Sequence, residues 1–230
     1  MSRVPVQNRL LLMLSNDAQA LLGPLERVDL NLRDSLEKAD ETIRFAYFPD
    51  AGLVSVVAET PGAGATEVGM IVVEGMTALA VLEHDTQSPF DTFVQGAGSA
   101  QRIETDRLRA ALAESAEIRS LFLRYARTFV IQVAATAFAN GNAKLEARLA
   151  RWLLMVGDRQ GETFNVTHEF LGLMLAVRRS GVTLAIQMLE GKGLIRATRG
   201  TISIVDRNGL IAHANGAYGL PEREYRRILG

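Results

Sequence analysis

The sequence predicts an α+β fold, in which a strand-rich N-terminal half precedes a long helix and a C-terminal pair of helices with a β hairpin. Three patterns indicate this. Short β-type runs separated by turn residues occupy the chain from Leu25 to about Ile103. A helical segment without Pro or Gly follows, from Asp106 to about Asn140. Two short apolar helical patterns and two β runs come after Thr167.

The composition excludes several classes of protein. The 230 residues are 48% hydrophobic, which is enough for one large domain or two small ones with cores. The chain has no cysteine, so disulfides, thiolate zinc sites and cysteine-ligated iron–sulfur clusters are ruled out. No apolar run approaches the roughly 18 residues of a membrane span, and Asn and Asp come too early for a secretory signal. We therefore expect a cytoplasmic protein without membrane association.

Charge is distributed unequally along the chain. Residues 1–110 contain 9 Lys or Arg against 16 Asp or Glu, whereas residues 111–230 contain 16 against 10. The basic C-terminal half is suited to a polyanionic partner.

The N-terminal half is predicted to contain one helix and a series of strands. Leu11, Leu14 and Ala18 recur at helical spacing and predict a helix from Asn8 to Leu22. The β-type runs are ERVDL, TIRFAYF, GLVSVVAE, TEVGMIVVE, DTFVQ and AQRIE, and we interpret FPDAG, TPGAGA and QGAGS as turns between them. Strands at this spacing imply an antiparallel sandwich or barrel.

The long helix is predicted to pair with a second copy of the chain. Its apolar stripe recurs at steps of 4, 3, 4 and 4 residues and comprises Ile118, Phe122, Tyr125, Phe129 and Val133. This stripe is too long for a small domain to bury alone, so a partner copy is the natural cover. Residues 140–142, Asn-Gly-Asn, should end the helix with a left-handed C-cap. A second helix follows to Gly157, and its inward face is Leu145, Leu149, Trp152, Leu153 and Val156.

The stretch from Thr167 to Ile195 predicts two short helices. Thr167 is a suitable N-cap for the first helix, His168 to Leu175, and Ser180 for the second, which runs to about Glu190. One face of the second helix is Val182, Ile186 and Leu189, and another is Arg179, Thr183 and Gln187. Its N-terminal end would present Arg179, Ser180 and Thr183 to base edges or phosphates in a major groove.

A basic hairpin follows the second helix. The runs LIRAT and TISIV flank Arg199-Gly200, which indicates a tight turn. Residues 178–207 contain six Lys or Arg and two acidic residues. Helix, turn, helix and basic hairpin in this order describe a winged helix-turn-helix. The predicted DNA-binding residues are Thr167, Arg178, Arg179, Ser180, Thr183, Gln187, Lys192, Arg199 and Thr201, of which Arg178, Lys192, Arg199 and Thr201 are expected to hold phosphates.

Two other functions compete with DNA binding. The chain could be a ligand-binding or protein-interaction module whose winged helix contacts only protein. An enzyme has little support, because the sequence has no glycine-rich phosphate loop, metal-ligand spacing or histidine paired with a nucleophile motif.

The chain resembles the Crp–Fnr superfamily of bacterial transcription regulators. The resemblance extends from about Asn8 to His213 and is carried by FAYFPDAGLVSVV, EVGMIVVEGM, LRYARTFVIQVAATA, EARLARWLLMVGDR, the stretch from Thr167 to Ile195 and RGTISIVDRNGL. It implies a β-roll sensor domain at 1–105, a dimerisation helix at 106–140 and a winged helix-turn-helix at 141–230. It also implies a homodimer that binds palindromic DNA sites and contacts RNA polymerase.

The sequence departs from the family at the effector and base-reading positions. Glu74-Gly75 inverts the Gly-Glu pair of cyclic-nucleotide-binding members, and Gln87-Ser88 lacks their arginine. A buried phosphate without a guanidinium is poorly compensated, so we expect no response to cyclic AMP and leave any effector unidentified. We expect no cofactor, and we interpret His84 as a surface turn residue rather than a haem ligand. Ser180 and Leu184 replace a Glu and a second Arg of well-known members, so the DNA site should differ from theirs.

Overall fold

The structure is a computed structural model that describes residues 6–60, 62 and 64–230. The first ten elements are α1 (Arg9–Leu12), α2 (Asn16–Leu22), β1 (Glu26–Leu30), β2 (Ser35–Glu37), β3 (Phe45–Thr60), β4 (Gly64–Ile71), α3 (Leu79–Leu82), β5 (Asp91–Glu104), α4 (Thr105–Glu114) and α5 (Ala116–Asn142). The others are α6 (Leu145–Gln160), β6 (Thr163–Asn165), α7 (His168–Met174), α8 (Arg179–Gly191), β7 (Ile195–Thr198), β8 (Thr201–Ile204), α9 (Arg207–His213) and α10 (Leu220–Leu229).

The described residues form two compact units. The sheet unit contains residues 6–58, 69–129 and 228–230, and the helical unit contains the described part of 59–68 and residues 130–227. These units do not follow the boundaries predicted after residues 105 and 140. The first part of α5 belongs to the sheet unit, and the described part of residues 59–68 belongs to the helical unit.

The sheet unit contains a sheet in the order β1-β5-β3-β4, with β2 also paired to β5. Strands β1, β2 and β3 are all antiparallel to β5, which confirms the predicted antiparallel N-terminal sheet and the α+β class. The short strand β2 was absent from the sequence prediction.

Two of the predicted turns are irregularities within long strands. The stretches FPDAG and QGAGS lie inside β3 and β5, and the pairing between these strands shifts register between Pro49 and Leu53. Gly52 has a φ of 97°, and a Cβ on Gly98 would overlap the Ala51 carbonyl. The glycines therefore permit bulges in two continuous strands, and the turn prediction is wrong at both places.

The predicted first helix is two short helices. The first ends at Leu12, and Ser15 caps the second, because its hydroxyl accepts a hydrogen bond from the Ala18 backbone N–H. The Ser15 backbone N–H and hydroxyl both donate to the Glu117 carboxylate, at 2.7 and 2.8 Å. These bonds hold Ser15 in an extended conformation that interrupts the helix.

The predicted long helix is also divided. Ser115 has extended backbone angles, and its hydroxyl accepts from the Ile118 N–H, so α5 begins after a cap that sequence reasoning missed. At the other end, α5 continues through residues 140–142, and Ala143 N donates to Ala139 O at 2.9 Å. The predicted left-handed cap at these residues is therefore wrong.

The apolar stripe of α5 is covered by the chain itself over half its length. Ile118, Phe122 and Tyr125 are buried in the sheet unit, and the Phe122 ring lies 5.5 Å from that of Phe48. The prediction that these three residues form a dimer interface is therefore wrong, because their surface is occupied by the sheet unit. Phe129 and Val133 are half-buried.

Helix α6 forms the centre of the helical unit. Every residue from Leu149 to Gly157 is buried, including four of the five predicted inward residues, and Leu145 is half-buried. The Trp152 ring packs against Phe164 and Phe170, with ring centroids 6.3 Å away in each case. A small sheet in the order β6-β8-β7 completes the unit, of which β6 was predicted as a loop. In the described part of the chain, no helix is long and apolar enough to cross a bilayer.

Substitution of Gly75 tests the packing of the sheet unit. A Cβ there would overlap the buried Tyr125 hydroxyl, so Gly75→Ala should lower the free energy of unfolding by about 1–3 kcal/mol. Gly141→Ala is the control, because a Cβ there meets no atom within 4 Å and Ala favours a helix. Chemical denaturation of both variants measures the difference, and equal stabilities would contradict the packing.

Candidate nucleic-acid interface

Helices α7 and α8 are joined by a sharp turn. The Thr167 hydroxyl accepts from the Phe170 N–H at 3.2 Å, which confirms the predicted N-cap of α7. At the turn, Val177 N donates to Gly172 O at 2.9 Å, and Ala176 has a φ of 50°. A Cβ on Gly172 would lie 2.9 Å from the Val177 carbonyl oxygen, so only glycine permits this close approach.

Helix α8 begins two residues earlier than predicted. Arg178 is the N-cap, without a side-chain cap hydrogen bond, and Arg179 is the first helical residue. Ser180 is therefore an exposed residue of the first turn, and the prediction that it caps the helix is wrong. Its hydroxyl stands at the N-terminal end of the helix, where backbone N–H groups and the helix dipole favour phosphate.

The buried face of α8 is the predicted one. Val182, Ile186 and Leu189 are at most 2% exposed, and α8 contacts α6 and α7. Its exposed residues include Arg179, Ser180, Leu184, Gln187 and Met188. Sequence reasoning found the polar members of this set. It did not propose Leu184 or Met188 as contacts, although they recur at i, i+4 spacing on the same helix.

Thr183 connects α7 to α8. Its hydroxyl donates to the Arg179 carbonyl at 3.1 Å and lies 3.1 Å from the His168 Nδ1 atom. Because the hydroxyl proton is used for the carbonyl, His168 must donate from Nδ1 in this arrangement. Thr183 is half-buried and bonded twice, so it supports the interface rather than standing free in it.

The hairpin of β7 and β8 forms the predicted wing. Thr198 pairs with Thr201 across the two-residue turn, where Gly200 has a φ of 78°. Arg199 is exposed at the tip, whereas the Thr201 hydroxyl donates to the Asn165 side chain at 2.9 Å. The exposed Lys192 lies with its Nζ 3.4 Å from Nδ1 of His213.

Four arginines give the interface its charge. Arg178, Arg179, Arg196 and Arg199 are exposed, and none of them forms an ion pair with another described residue. Arg207, by contrast, pairs with Asp158 and Glu162 in the same unit. Guanidinium groups without carboxylate partners are available to phosphate oxygens and guanine edges.

The predicted effector residues bond to the sheet unit itself. The Glu74 carboxylate lies 3.7 Å from Arg9, and the Gly75 carbonyl accepts from the Asn8 side chain at 2.8 Å. The Gln87 amide donates to the Asp40 carbonyl at 3.1 Å. The Ser88 hydroxyl accepts from the Phe90 N–H at 3.2 Å. His84 is exposed in a turn with a φ of 65°, which confirms its interpretation as a surface residue.

A buried acid beside this region was missed by sequence reasoning. Glu37 is 8% exposed, and its carboxylate accepts from the Ala78 N–H at 2.6 Å and from the Thr92 hydroxyl at 3.4 Å. Burial raises its pKa above 4.5, against the lowering effect of these bonds. A strand of three residues gives too short a pattern to show that its last residue faces inward.

A polar cavity lies within the helical unit. Its lining comprises Glu67, Thr136, Ala139, Asn140, Arg148, Arg151, Trp152, Met174 and Leu175. The buried Arg151 donates to the Thr136 hydroxyl at 3.1 Å, and the Trp152 indole donates to Glu67 at 3.1 Å. These bonds satisfy one Arg151 amino group and the Trp152 indole, whereas the buried Arg151 Nε atom has no hydrogen-bond partner among the described residues.

Comparisons with known proteins agree with this geometry. Residues 147–213 match the Crp-like helix-turn-helix domain family. A solved transcriptional regulator of the crp/fnr family from Eubacterium rectale is 16% identical, with 90% of this chain and 98% of that chain covered and a TM-score of 0.72. A CRP-family transcriptional regulator from Thermus thermophilus is 22% identical, with 84% and 99% covered and a TM-score of 0.70. No curated protein matches the chain in sequence.

These matches show the fold of the chain and the domain family of residues 147–213. The solved structures share the fold across most of the chain, and the family match covers α7, α8 and the wing. Residues 147–213 therefore contain a Crp-like helix-turn-helix domain, and the chain has the fold of solved Crp/Fnr-family regulators, as the resemblance in sequence implied.

The pH dependence of stability tests the environment of Glu37. Because its pKa is higher in the folded chain than the ordinary value of 4.5, the folded state favours a proton that the unfolded state releases. Its contribution to stability is therefore lost as the pH rises from 4.5 through the folded pKa. Glu37→Gln should have a higher Tm than the unsubstituted protein at pH 8, and this advantage should shrink toward pH 4.5. The exposed Glu83→Gln serves as control, and the same Tm difference at every pH would contradict the assignment.

Proposed function

We propose that the chain acts as a homodimeric, sequence-specific DNA-binding transcription regulator. The observation that carries the proposal is the exposed N-terminal end of α8, where Arg178 and Arg179 have no carboxylate partner among the described residues. Solvated cations at the start of a helix in a helix-turn-helix suit a DNA groove better than a protein core. The proposal includes the contact with RNA polymerase that the resemblance implies.

The roles within the interface follow from exposure and bonding. Arg179, Ser180 and Gln187 are exposed on α8 and are proposed to read bases. Arg178, Lys192 and Arg199 are exposed around them and are proposed to hold phosphates. Three threonine hydroxyls are hydrogen-bonded within the helical unit, those of Thr167, Thr183 and Thr201. We propose that they mainly hold α7, α8 and the wing in position.

The proposed dimer interface is the apolar surface that α5 leaves exposed. Leu123, Val130 and Phe138 are 42%, 55% and 67% exposed. They are spaced by seven and eight residues, which places them on one side of the helix, within about 80° of each other around its axis. Two such helices packed together would relate two helix-turn-helix units by a two-fold axis and fit a palindromic site.

We further infer that the sheet unit does not respond to cyclic AMP. Gln87-Ser88 lies where cyclic-nucleotide-binding members carry an arginine, and the Gln87 and Ser88 side chains bond to neighbouring backbone. The backbone of Gly75 is packed against Tyr125. If the unit has an effector, its chemistry therefore differs from that of a cyclic phosphate.

The second candidate function is a ligand-binding or protein-interaction module without DNA binding. The exposed apolar residues Leu184 and Met188 on α8 are the observation that favours it. Salt dependence separates the two candidates, because displacement of counterions from DNA makes its binding weaken steeply as salt rises. If the protein retains no duplex from a random pool at low salt, the ligand-binding or protein-interaction module is favoured.

Substitution of Arg179 tests the base-reading assignment. On a site selected from random duplexes, Arg179→Ala should cost about 1–3 kcal/mol of binding free energy and relax specificity at one position of each half-site. Arg44→Ala removes an equally exposed arginine from the sheet unit and should leave binding unchanged. Fluorescence anisotropy with labelled duplex measures both, and unchanged affinity in Arg179→Ala would show that α8 is not the reader.

Charge introduced on α5 tests the dimer. Val130→Glu and Phe138→Glu should each weaken self-association by at least roughly tenfold, because an unpaired carboxylate would be desolvated in the interface. Leu32→Glu is a control at a leucine of 61% exposure in the sheet unit. Sedimentation equilibrium gives the dissociation constants. Both variants remaining as dimeric as the control would contradict this interface.

A further inference from the structure

On the side of α8 that faces away from the core of the helical unit, a leucine lies among polar residues and a glycine. With about 100° of rotation per residue, the side opposite Val182, Ile186 and Leu189 is formed by Ser180, Leu184, Gln187 and Gly191. Arg179 and Thr183 lie on one flank of the helix, between this side and the buried face. The centre of the surface that would face a groove therefore has an aliphatic side chain between Ser180 and Gln187.

Leu184 is largely exposed, although it belongs to a helix whose opposite face is buried. It is 59% exposed, and Met188, one turn later, is 39% exposed, whereas the apolar residues on the opposite side of the same helix are at most 2% exposed. Packing of the helical unit therefore does not require a large apolar residue at position 184.

The chemistry of the major groove offers one apolar group. Guanine, cytosine and adenine present only hydrogen-bond donors and acceptors at their groove edges, whereas thymine presents its C5-methyl group. A leucine can form no hydrogen bond, so its favourable contact with a base edge is with that methyl group. Leu184 lies roughly 7.5 Å along the helix axis from Arg179, a distance that spans about two base pairs.

We infer that Leu184 selects a thymine in each half-site by packing on its methyl group. This inference rests on the proposed DNA binding and assigns part of its sequence specificity. The selected thymine lies within about three base pairs of the base that Arg179 reads, because the two side chains are separated by little more than one helical turn. Met188 borders the same contact one turn further along α8.

Replacement of thymine by deoxyuridine isolates the methyl group. The full chain is used to select a duplex from a random pool, and each thymine of that duplex is then replaced in turn. Loss of one buried methyl group corresponds to about a fourfold loss of affinity, and loss in both half-sites to roughly 16-fold. The unsubstituted protein should show this loss at one thymine per half-site, and Leu184→Ala should bind the thymine and deoxyuridine duplexes equally.

Two further variants separate methyl reading from general weakening. Leu184→Met keeps a long apolar side chain and should retain the discrimination. Leu32→Ala removes a leucine of matching exposure from the sheet unit and should behave as the unsubstituted protein. Circular dichroism verifies that each variant is folded. We expect folding to be retained because both leucines are exposed and neither substitution removes a core side chain.

Two results would overturn the inference. The unsubstituted protein binding every deoxyuridine duplex as well as the thymine duplex would exclude methyl reading. Leu184→Ala keeping the same discrimination would assign the methyl contact to another residue. Both results are obtained only if the protein binds DNA. They therefore differ from failure of the proposed function, in which no duplex is selected from the pool. In that case Leu184 and Met188 would contact a protein partner instead.

Discussion

The burial of α6 on all sides is the constraint on which the helical unit depends. From Leu149 to Gly157 no residue of this helix reaches solvent appreciably, and Trp152 packs on Phe164 from β6 and Phe170 from α7. Helix α8 then places Val182, Ile186 and Leu189 in this core. With that face fixed, the opposite face of α8 must be exposed, so the position of its arginines is a consequence of hydrophobic packing. The uncompensated charge of the interface is tolerated because it lies outside that core.

The distinction between a buried face and an exposed face also explains what the sequence could predict. The helix-turn-helix, the wing turn at Arg199-Gly200 and the buried face of α8 were predicted, because caps, glycine turns and helical periodicity are local signals. The stripe from Ile118 to Tyr125 was assigned to a partner copy because periodicity identifies an apolar face without identifying its cover. The glycines in QGAGS were interpreted as a turn, since a bulge and a turn use the same residue types.

The site residues divide in a similar way. The exposure of Arg178, Arg179 and Arg199 follows from their charge and was predicted correctly. The bonding of Thr183 to His168 was not, because it depends on the angle at which α7 meets α8. Leu184 was identified from the sequence only as the position of a missing arginine, and it was not proposed as a contact because an apolar residue in a helical pattern is ordinarily assigned to a core. Only its exposure of 59% in the structure distinguishes it from Val182 and Ile186.

The proposed dimer places two copies of α8 in successive major grooves of one duplex. Hydroxyl-radical footprinting of a selected duplex bound to the full chain tests this arrangement. We expect two protected segments related by two-fold symmetry, with centres roughly 10–10.5 base pairs apart or a multiple of that spacing. A single asymmetric protected segment, or saturating binding without any protection, would contradict it.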